Sequence, residues 1–374
     1  MASSTAVNEI RKFDWIDKLR GIAILMVVAV HVIDALPLGY KRGFVASVFE
    51  FGQLGVQLFF VASAITLCLS TKGRAHDAQA LPAFFVRRYF RIAPMYYLGV
   101  VLYCLISCLR HWYVQGVFTP SPQYSAIGVF TNLVFIHGFT PASNNSLVPG
   151  GWSIGTEFAF YAIFPALFAT LHWSARRLPI AAVVVGLILV CLGAEWVLST
   201  ITGVWVQNNT FLYFNLLNQL PVFLIGMLAY WILQSGRRPA NALLWTLIAL
   251  AAALLVLAWH SEVRLAFFAV PLVAACGFAC LALWWSARTT RDDWLSEVGR
   301  RSYSIYILHF FAVQLLEPAL RRSVVAGLST DLTILVCFVI GSGLAYFMAG
   351  MTHRWIELPG IALGKRVIER LRER

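Results

Sequence analysis

The stretch WIDKLRGIAILMVVAVHVID, Trp15 to Asp34, turns apolar after Arg20 and stays so except for His31 and Asp34. An arginine at a membrane edge is ordinary. A histidine further along the same span is not, because an ionisable group in hydrocarbon is costly and is kept for a task. At 1.5 Å per residue His31 lies about 16 Å beyond Arg20, roughly half way through a ~30 Å hydrocarbon layer. Asp34 follows at i+3 on nearly the same face. A carboxylate beside an imidazole fixes its tautomer and makes it a better proton acceptor. The pair thus has the parts of a general base in a cavity that opens outward. The plainer reading is a histidine bonded to a neighbouring helix, with Asp34 as a helix cap.

Apolar stretches of similar length recur from end to end. Hydrophobic residues make up 60% of the 374 and charged residues 12%, against about 25% charged in soluble domains; the mean hydropathy is +0.74. A water-soluble enzyme, whose helices need long polar faces, is excluded. An all-α integral membrane protein is predicted. Ten transmembrane helices are expected, at 21–38, 52–70, 92–109, 152–172, 179–199, 211–233, 241–259, 264–286, 302–318 and 331–351. With no Pro/Gly/Ser linker, residues 1–374 read as one membrane domain, with a core over about 15–360 and a basic cytoplasmic tail over about 361–374. The halves do not mirror each other as in a transporter of inverted repeats.

The net charge of +12 comes without zinc-finger spacing, a phosphate loop or a basic–aromatic repeat, so no nucleic-acid partner is expected. Lysine and arginine instead gather in cytoplasmic loops. The stretch 124–139, YSAIGVFTNLVFIHGF, is apolar but short, and holds Asn132 and His137. If it crossed, Arg176/Arg177 and Arg237/Arg238 would fall outside. If it does not, both termini are cytoplasmic and the loops follow the positive-inside tendency. It is therefore expected to be non-spanning on the outer side, re-entrant or surface-lying, with its broken ends covered. The opening MASSTAVNEI lacks the features of a cleaved signal, so the first span is expected to remain as an anchor. Seven cysteines form no CxxC pair and read as small core residues; no metal is expected.

Further polar residues stand where hydrocarbon should exclude them. In VRRYFRIAPMYYLG, 86–99, Arg87, Arg88 and Arg91 mark the cytoplasmic mouth of the third span. Arg87 and Arg91 share a face, where their forks suit a phosphate. Pro94 suits an early helical turn or a kink. In PGGWSIGTEFAFYAIFPALF, 149–168, Trp152 reads as an interfacial aromatic. Glu157, with Ser153 and Thr156 beside it and Tyr161 at i+4, suggests a polar pocket in the outer half. GRRSYSIYILHFF, from Gly299, sets Arg301 at the inner edge and His309 about 12 Å deeper. In THRWIELPG, 352–360, Glu357 pairs most simply with a loop arginine. Isolated polar points do not make a channel's rings or continuous path. They suit a reaction whose donor arrives from the cytoplasm and whose acceptor waits on the far side.

Five stretches, LRGIAILMVVAVH (19–31), GVQLFFVAS (55–63), RRYFRIAP (87–94), WSIGTEFAFY (152–161) and GRRSYSIYILH (299–309), together resemble the acyltransferase-3 family of integral membrane O-acyltransferases. The resemblance covers almost the whole chain. It implies ten core spans in the bacterial cytoplasmic (inner) membrane, and acetylation of surface polysaccharide, lipopolysaccharide or exopolysaccharide. It also implies essential roles for Arg20 and His31, handling of an acyl-CoA donor by Arg88 and Arg91, and a role for Glu157. The chain departs from the family pattern at Lys18 and Ala64, where glycine is common, and at Ala93, where an aromatic is usual. Phe158 replaces a frequent second acidic residue, which leaves a two-carboxylate scheme without its partner. Only a short tail follows the last span, so a stand-alone membrane module is expected.

The expected activity is therefore an O-acetyltransferase with acetyl-CoA as donor. His31, Asp34 and Glu157 are the catalytic candidates; Arg20, Arg87, Arg88 and Arg91 are the donor-binding ones. Ser63, Trp152, Ser153, Tyr161, Arg301, His309 and Glu357 are supporting candidates. The imidazole either removes the proton of a sugar hydroxyl or takes the acetyl group itself. Membrane lipid, a lipid-linked or surface saccharide acceptor, and polysaccharide assembly machinery are the expected partners. The competing classes are a transporter or flippase of a lipid-linked glycan, without transferase chemistry, and an assembly partner of an export complex. No residue selects the acceptor sugar.

Overall fold

The computed structural model describes residues 14–36, 43–72, 79–203, 210–259, 266–288, 292–321 and 329–373. The opening ten residues and the expected span ends at 37–38 and 264–265 lie outside the described residues. Every regular element among those described is helical. The chain runs through α1 (Asp14–Ala35), α2 (Phe44–Glu50), a 3-10 turn and α3 (Gly55–Lys72). Next come α4 (Ala80–Gln115), α5 (Ala126–Leu133), α6 (Trp152–Ser174) and α7 (Ile180–Thr202). Then follow α8 (Phe211–Phe214), α9 (Leu216–Gln234), α10 (Asn241–Trp259) and α11 (Ala266–Ser286). The last are α12 (Trp294–Arg300), α13 (Ser302–Arg321), α14 (Thr330–Thr352) and α15 (Leu358–Arg372).

Among the described residues, 8 helical stretches are long and apolar enough to cross a membrane; α1 and α13 are not among them. The described apolar stretch of α13, Ser302–Leu316, is shorter than the others, and α1 is charged. α1 carries Asp14, Asp17, Lys18, Arg20 and Asp34, yet most of it is buried, against α3, α12, α13 and α14. A helix wrapped by protein need not be apolar along its length, whereas α10, buried only at Leu244 and Ala251, turns its apolar surface outward. α3 reaches α1 at Gly55, where a Cβ would stand 2.4 Å from the Ala23 carbonyl oxygen; a small residue lets the two backbones approach. Phe223 stacks between Phe60 and Phe160, at ring separations of 4.4 and 3.9 Å, and joins α3, α6 and α9.

A polar fastening to α12 sets the α1 end that carries Arg20. Asp293 caps α12 by accepting from the Ser296 amide at 3.1 Å, and its other oxygen takes Lys18 Nζ at 2.6 Å. The Lys18 hydrogen bond holds the Asp293 carboxyl below the usual carboxylate range, against the opposing effect of burial. At the other end α5 has only eight residues and rises about 12 Å, far less than a bilayer core. It is pinned where Tyr96 donates to Asn132 Oδ1 at 2.7 Å, with the buried His137 ring stacked on Tyr96.

Three expectations about the elements change. α4 starts at Ala80 rather than 92, and its 36 residues rise about 54 Å. Arg87, Arg88 and Arg91 therefore lie within the helix, and Pro94 sits mid-helix instead of in an early turn. α1 ends at Ala35 rather than 38, about one turn beyond His31. Residues 361–372, expected as a tail, continue from α14 through a π-helical turn (His353–Glu357) into α15. α15 docks on α4, with Gly360 against Pro94 and Gly364 against Phe90.

Candidate active site

Two cavities lie side by side within the bundle. The first, of about 80 Å³, is lined by Arg20 from α1, Arg88 and Arg91 from α4, and Glu157 from α6. α4 delivers the two arginines one turn apart, at i and i+3. Arg20 is steadied by Asp17 at 3.3 Å and by Thr66 Oγ1 at 3.1 Å. Ser63 donates to Glu157 Oε1 at 2.6 Å, and the Tyr161 hydroxyl donates to the same oxygen. Three guanidinium groups beside one carboxylate suit an anionic or strongly polar guest.

The second cavity, of about 370 Å³, is lined by His31 and Asp34 from α1. Gln53, Asn145, Ser146, Trp152, Tyr213 and Phe310 are among its other walls. Asp34 and Asn145 are exposed, so the mouth opens on the face that carries residues 124–151. The Nδ1 of His31 lies 2.8 Å from the Val27 carbonyl oxygen and 3.2 Å from His309 Nε2. Hydroxyl-binding groups beside an indole and a phenol ring suit a guest with both hydroxyls and an apolar face.

Tyr306 lines both cavities. Its hydroxyl donates to the Gly150 carbonyl oxygen at 2.9 Å and lies 2.8 Å from Ser153 Oγ. Gly150 has φ +75°, and a Cβ there would meet the Tyr306 hydroxyl at 2.9 Å, so glycine is needed both for its backbone and for room.

The other sequence candidates take up different places. Glu157 stands with the arginines rather than in a polar pocket with Ser153 and Thr156; Ser153 serves Tyr306, and Thr156 donates to the Phe214 carbonyl at 2.6 Å. Arg87 does not share the cavity with Arg91. Arg91 stands between Arg87 and Arg88 around the helix, about 40° from the one and about 60° from the other, and Arg87 lines a neighbouring apolar groove of about 410 Å³ with Leu81, Phe168 and Trp231. Trp152 is a buried wall residue stacked on Phe214, not an interfacial aromatic. Arg301 pairs with Glu297 and lies over the Tyr346 ring. Glu357 accepts from Ser304 at 2.7 Å and lies 3.0 Å from His353 Nδ1, so its partners are a hydroxyl and a histidine in place of a loop arginine.

Several residues that build the site escaped the sequence reading. Gln57 donates to Gln219 Oε1 at 3.2 Å, and Gln219 donates to the Tyr213 carbonyl at 2.7 Å, which anchors the Tyr213 wall. Glu195, fully buried on α7, accepts from Asn215 Nδ2 at 3.0 Å, while Asn215 Oδ1 caps α9. Their signal was a polar residue inside an apolar span, the same signal that marked His31.

The chain also matches known proteins. The Acyl_transf_3 family model, an acyltransferase domain, matches residues 13–348. Over 372 residues the chain is 26% identical to the peptidoglycan O-acetyltransferase OatA of Listeria monocytogenes, covering 92% of this chain. It spans only 55% of that protein's length. Over 316 residues it is 27% identical to the exopolysaccharide production protein ExoZ of Rhizobium meliloti, covering 80% of this chain and 88% of that one. No solved structure matches.

Proposed function

The chain belongs to the acyltransferase-3 family, and from that premise we propose that it is a membrane O-acetyltransferase. It moves an acetyl group from cytoplasmic acetyl-CoA to a hydroxyl of a lipid-linked or cell-surface saccharide. The names of its relatives, a peptidoglycan O-acetyltransferase and an exopolysaccharide production protein, support the reaction and the acceptor class. In this reading the eight long apolar helices together with α1 and α13 make ten crossings of the bacterial inner membrane. Both termini are cytoplasmic, which keeps most basic residues inside.

The observation that carries the proposal is that Tyr306 lines both the cavity of the arginines and the cavity of His31. Arg20, Arg88 and Arg91 hold the anionic donor at one end. At about 80 Å³ their cavity admits one small polar group, so most of the nucleotide lies outside its mouth. Trp152, Tyr213 and the amide and hydroxyl groups around His31 hold the saccharide at the other end. His31 removes the proton of the sugar hydroxyl as its oxygen attacks the thioester carbonyl. The new C–O bond forms, the C–S bond breaks, and the imidazolium returns the proton to the departing sulfur. The products are the O-acetyl saccharide and the free thiol of coenzyme A.

The test is acetyl incorporation into purified acceptor by His31→Ala in membranes. The variant is expected to bind coenzyme A and transfer nothing; turnover at the wild-type rate removes His31 from the chemistry. Mass spectrometry of surface glycans with and without the gene identifies the acceptor by the mass of one acetyl group.

A further inference from the structure

We infer that His309 is a positioning residue for His31, an uncharged counterpart of the carboxylate that orients a catalytic imidazole. The inference rests on the reading of His31 as the base.

His309 sits on α13 and is 0% exposed, so it cannot touch a substrate and acts only through its neighbours. Its ring centroid lies 5.0 Å from that of His31, and Phe310 packs against both rings at 4.2 and 4.3 Å. The proton positions follow from the partners. His309 Nδ1 lies 2.6 Å from the Tyr306 carbonyl oxygen. A carbonyl only accepts, so Nδ1 carries the hydrogen and Nε2 of the neutral ring keeps its lone pair. That lone pair faces His31 Nδ1 at 3.2 Å. His31 Nδ1 in turn lies 2.8 Å from the Val27 carbonyl oxygen and must also be a donor. Its one N–H is shared between Val27 and His309. With one proton on each ring, hydrogen on both Nδ1 atoms is the one choice that satisfies these three contacts.

The consequence falls on the remaining nitrogen. With its hydrogen committed to Nδ1, His31 keeps its lone pair on Nε2, on a ring that lines the cavity with Asp34 and Trp152. When Nε2 takes a proton, the N–H shared with His309 belongs to an imidazolium, and a hydrogen bond to a charged donor is stronger than a neutral one. His309 therefore gives most to the step in which charge appears on His31. A buried carboxylate in its place would bring a charge at high desolvation cost; a second imidazole avoids it. Tyr306 links the two features, since its carbonyl orients His309 and its hydroxyl fastens the ring that lines both cavities.

The experiment uses the full chain in lipid nanodiscs, with His309→Leu and His309→Gln. Glutamine offers an amide oxygen as acceptor where leucine offers none. For His309→Leu, kcat is expected to fall about 10- to 100-fold, with both KM values and coenzyme A affinity near those of the wild type. His309→Gln is expected to recover most of that loss. Nitrogen-15 NMR of His31 is expected to show one tautomer, hydrogen on Nδ1, in the wild type and in His309→Gln, and a mixture in His309→Leu. Wild-type kcat in His309→Leu overturns the inference, as does hydrogen on Nε2 of His31 in the wild type. If leucine unfolds the protein, the glutamine variant decides: near-wild-type kcat with the Nδ1 tautomer supports it, and loss of that tautomer overturns it. The NMR result stands even if the wild type transfers no acetyl group, an outcome that would defeat the proposed function alone.

Discussion

Arg88 and Arg91 project into the cavity with Arg20, while Arg87, adjacent in sequence, faces an apolar groove. Replacing each by glutamine therefore separates neighbours that composition cannot. A hydrogen bond to a charged group is worth about 1.5–3 kcal/mol, and about 1.4 kcal/mol is tenfold in affinity. Arg88→Gln and Arg91→Gln are each expected to weaken coenzyme A binding by about 10- to 150-fold. Arg88, 9% exposed, belongs at the upper end; Arg91, half-buried, belongs lower. The double variant should lose less than the product of the two, because neighbours that hold one ligand are not additive. Arg87→Gln, away from the cavity, should stay within about 0.5 kcal/mol, or roughly twofold. The assay is calorimetric titration of coenzyme A into the protein in nanodiscs at one fixed ionic strength. Wild-type affinity in Arg88→Gln and Arg91→Gln, or an equal loss in Arg87→Gln, would refute the assignment of the small cavity to the donor.

Phe160→Ala opens the stacked triplet with Phe60 and Phe223, and should destabilise the bundle by about 3–5 kcal/mol, read as a lowered unfolding midpoint in detergent. Lys18→Met removes the partner that depresses the Asp293 carboxyl. Because that pKa is lowered on folding, the bond stabilises above the ordinary carboxylate value and its contribution is lost as pH falls through the depressed one. The variant should therefore show a shallower loss of stability on acidification below about pH 4, read by thermal unfolding across that range; equal slopes would exclude the ion pair. Tyr306→Phe keeps the ring and removes the hydroxyl that fastens it to Gly150, and should change the rate of transfer while leaving coenzyme A affinity within about twofold.

Much of the frame was legible from the sequence because one principle produces both. Hydrocarbon excludes polar groups, so apolar runs mark helices, and the exceptions, Arg20, His31, Glu157 and His309, mark the interior of the site. The same principle misleads where protein replaces lipid. α1, which carries His31, is shielded by other helices, and its charged residues set it apart from the long apolar runs around it. Direction around a helix was harder still. Arg87 and Arg91 share a nominal face, but only neighbouring helices determine that Arg88 and Arg91 turn inward. Partners distant in sequence were out of reach: His31 and His309 are separated by 278 residues, and nothing local to either stretch says that they touch. Pro94 suited either an early turn or a kink, because the expected span began at 92. In the fold it belongs to a helix that begins at Ala80.

Sidedness tests the central claim most directly. In proteoliposomes that hold the protein in one orientation, labelled acetyl-CoA is supplied only on the side bearing the arginine cavity, with saccharide acceptor only on the side where the His31 cavity opens. The account predicts labelled saccharide on the acceptor side, free coenzyme A thiol on the donor side, and no product when the two sides are exchanged. Label that appears only when donor and acceptor share one side would contradict it.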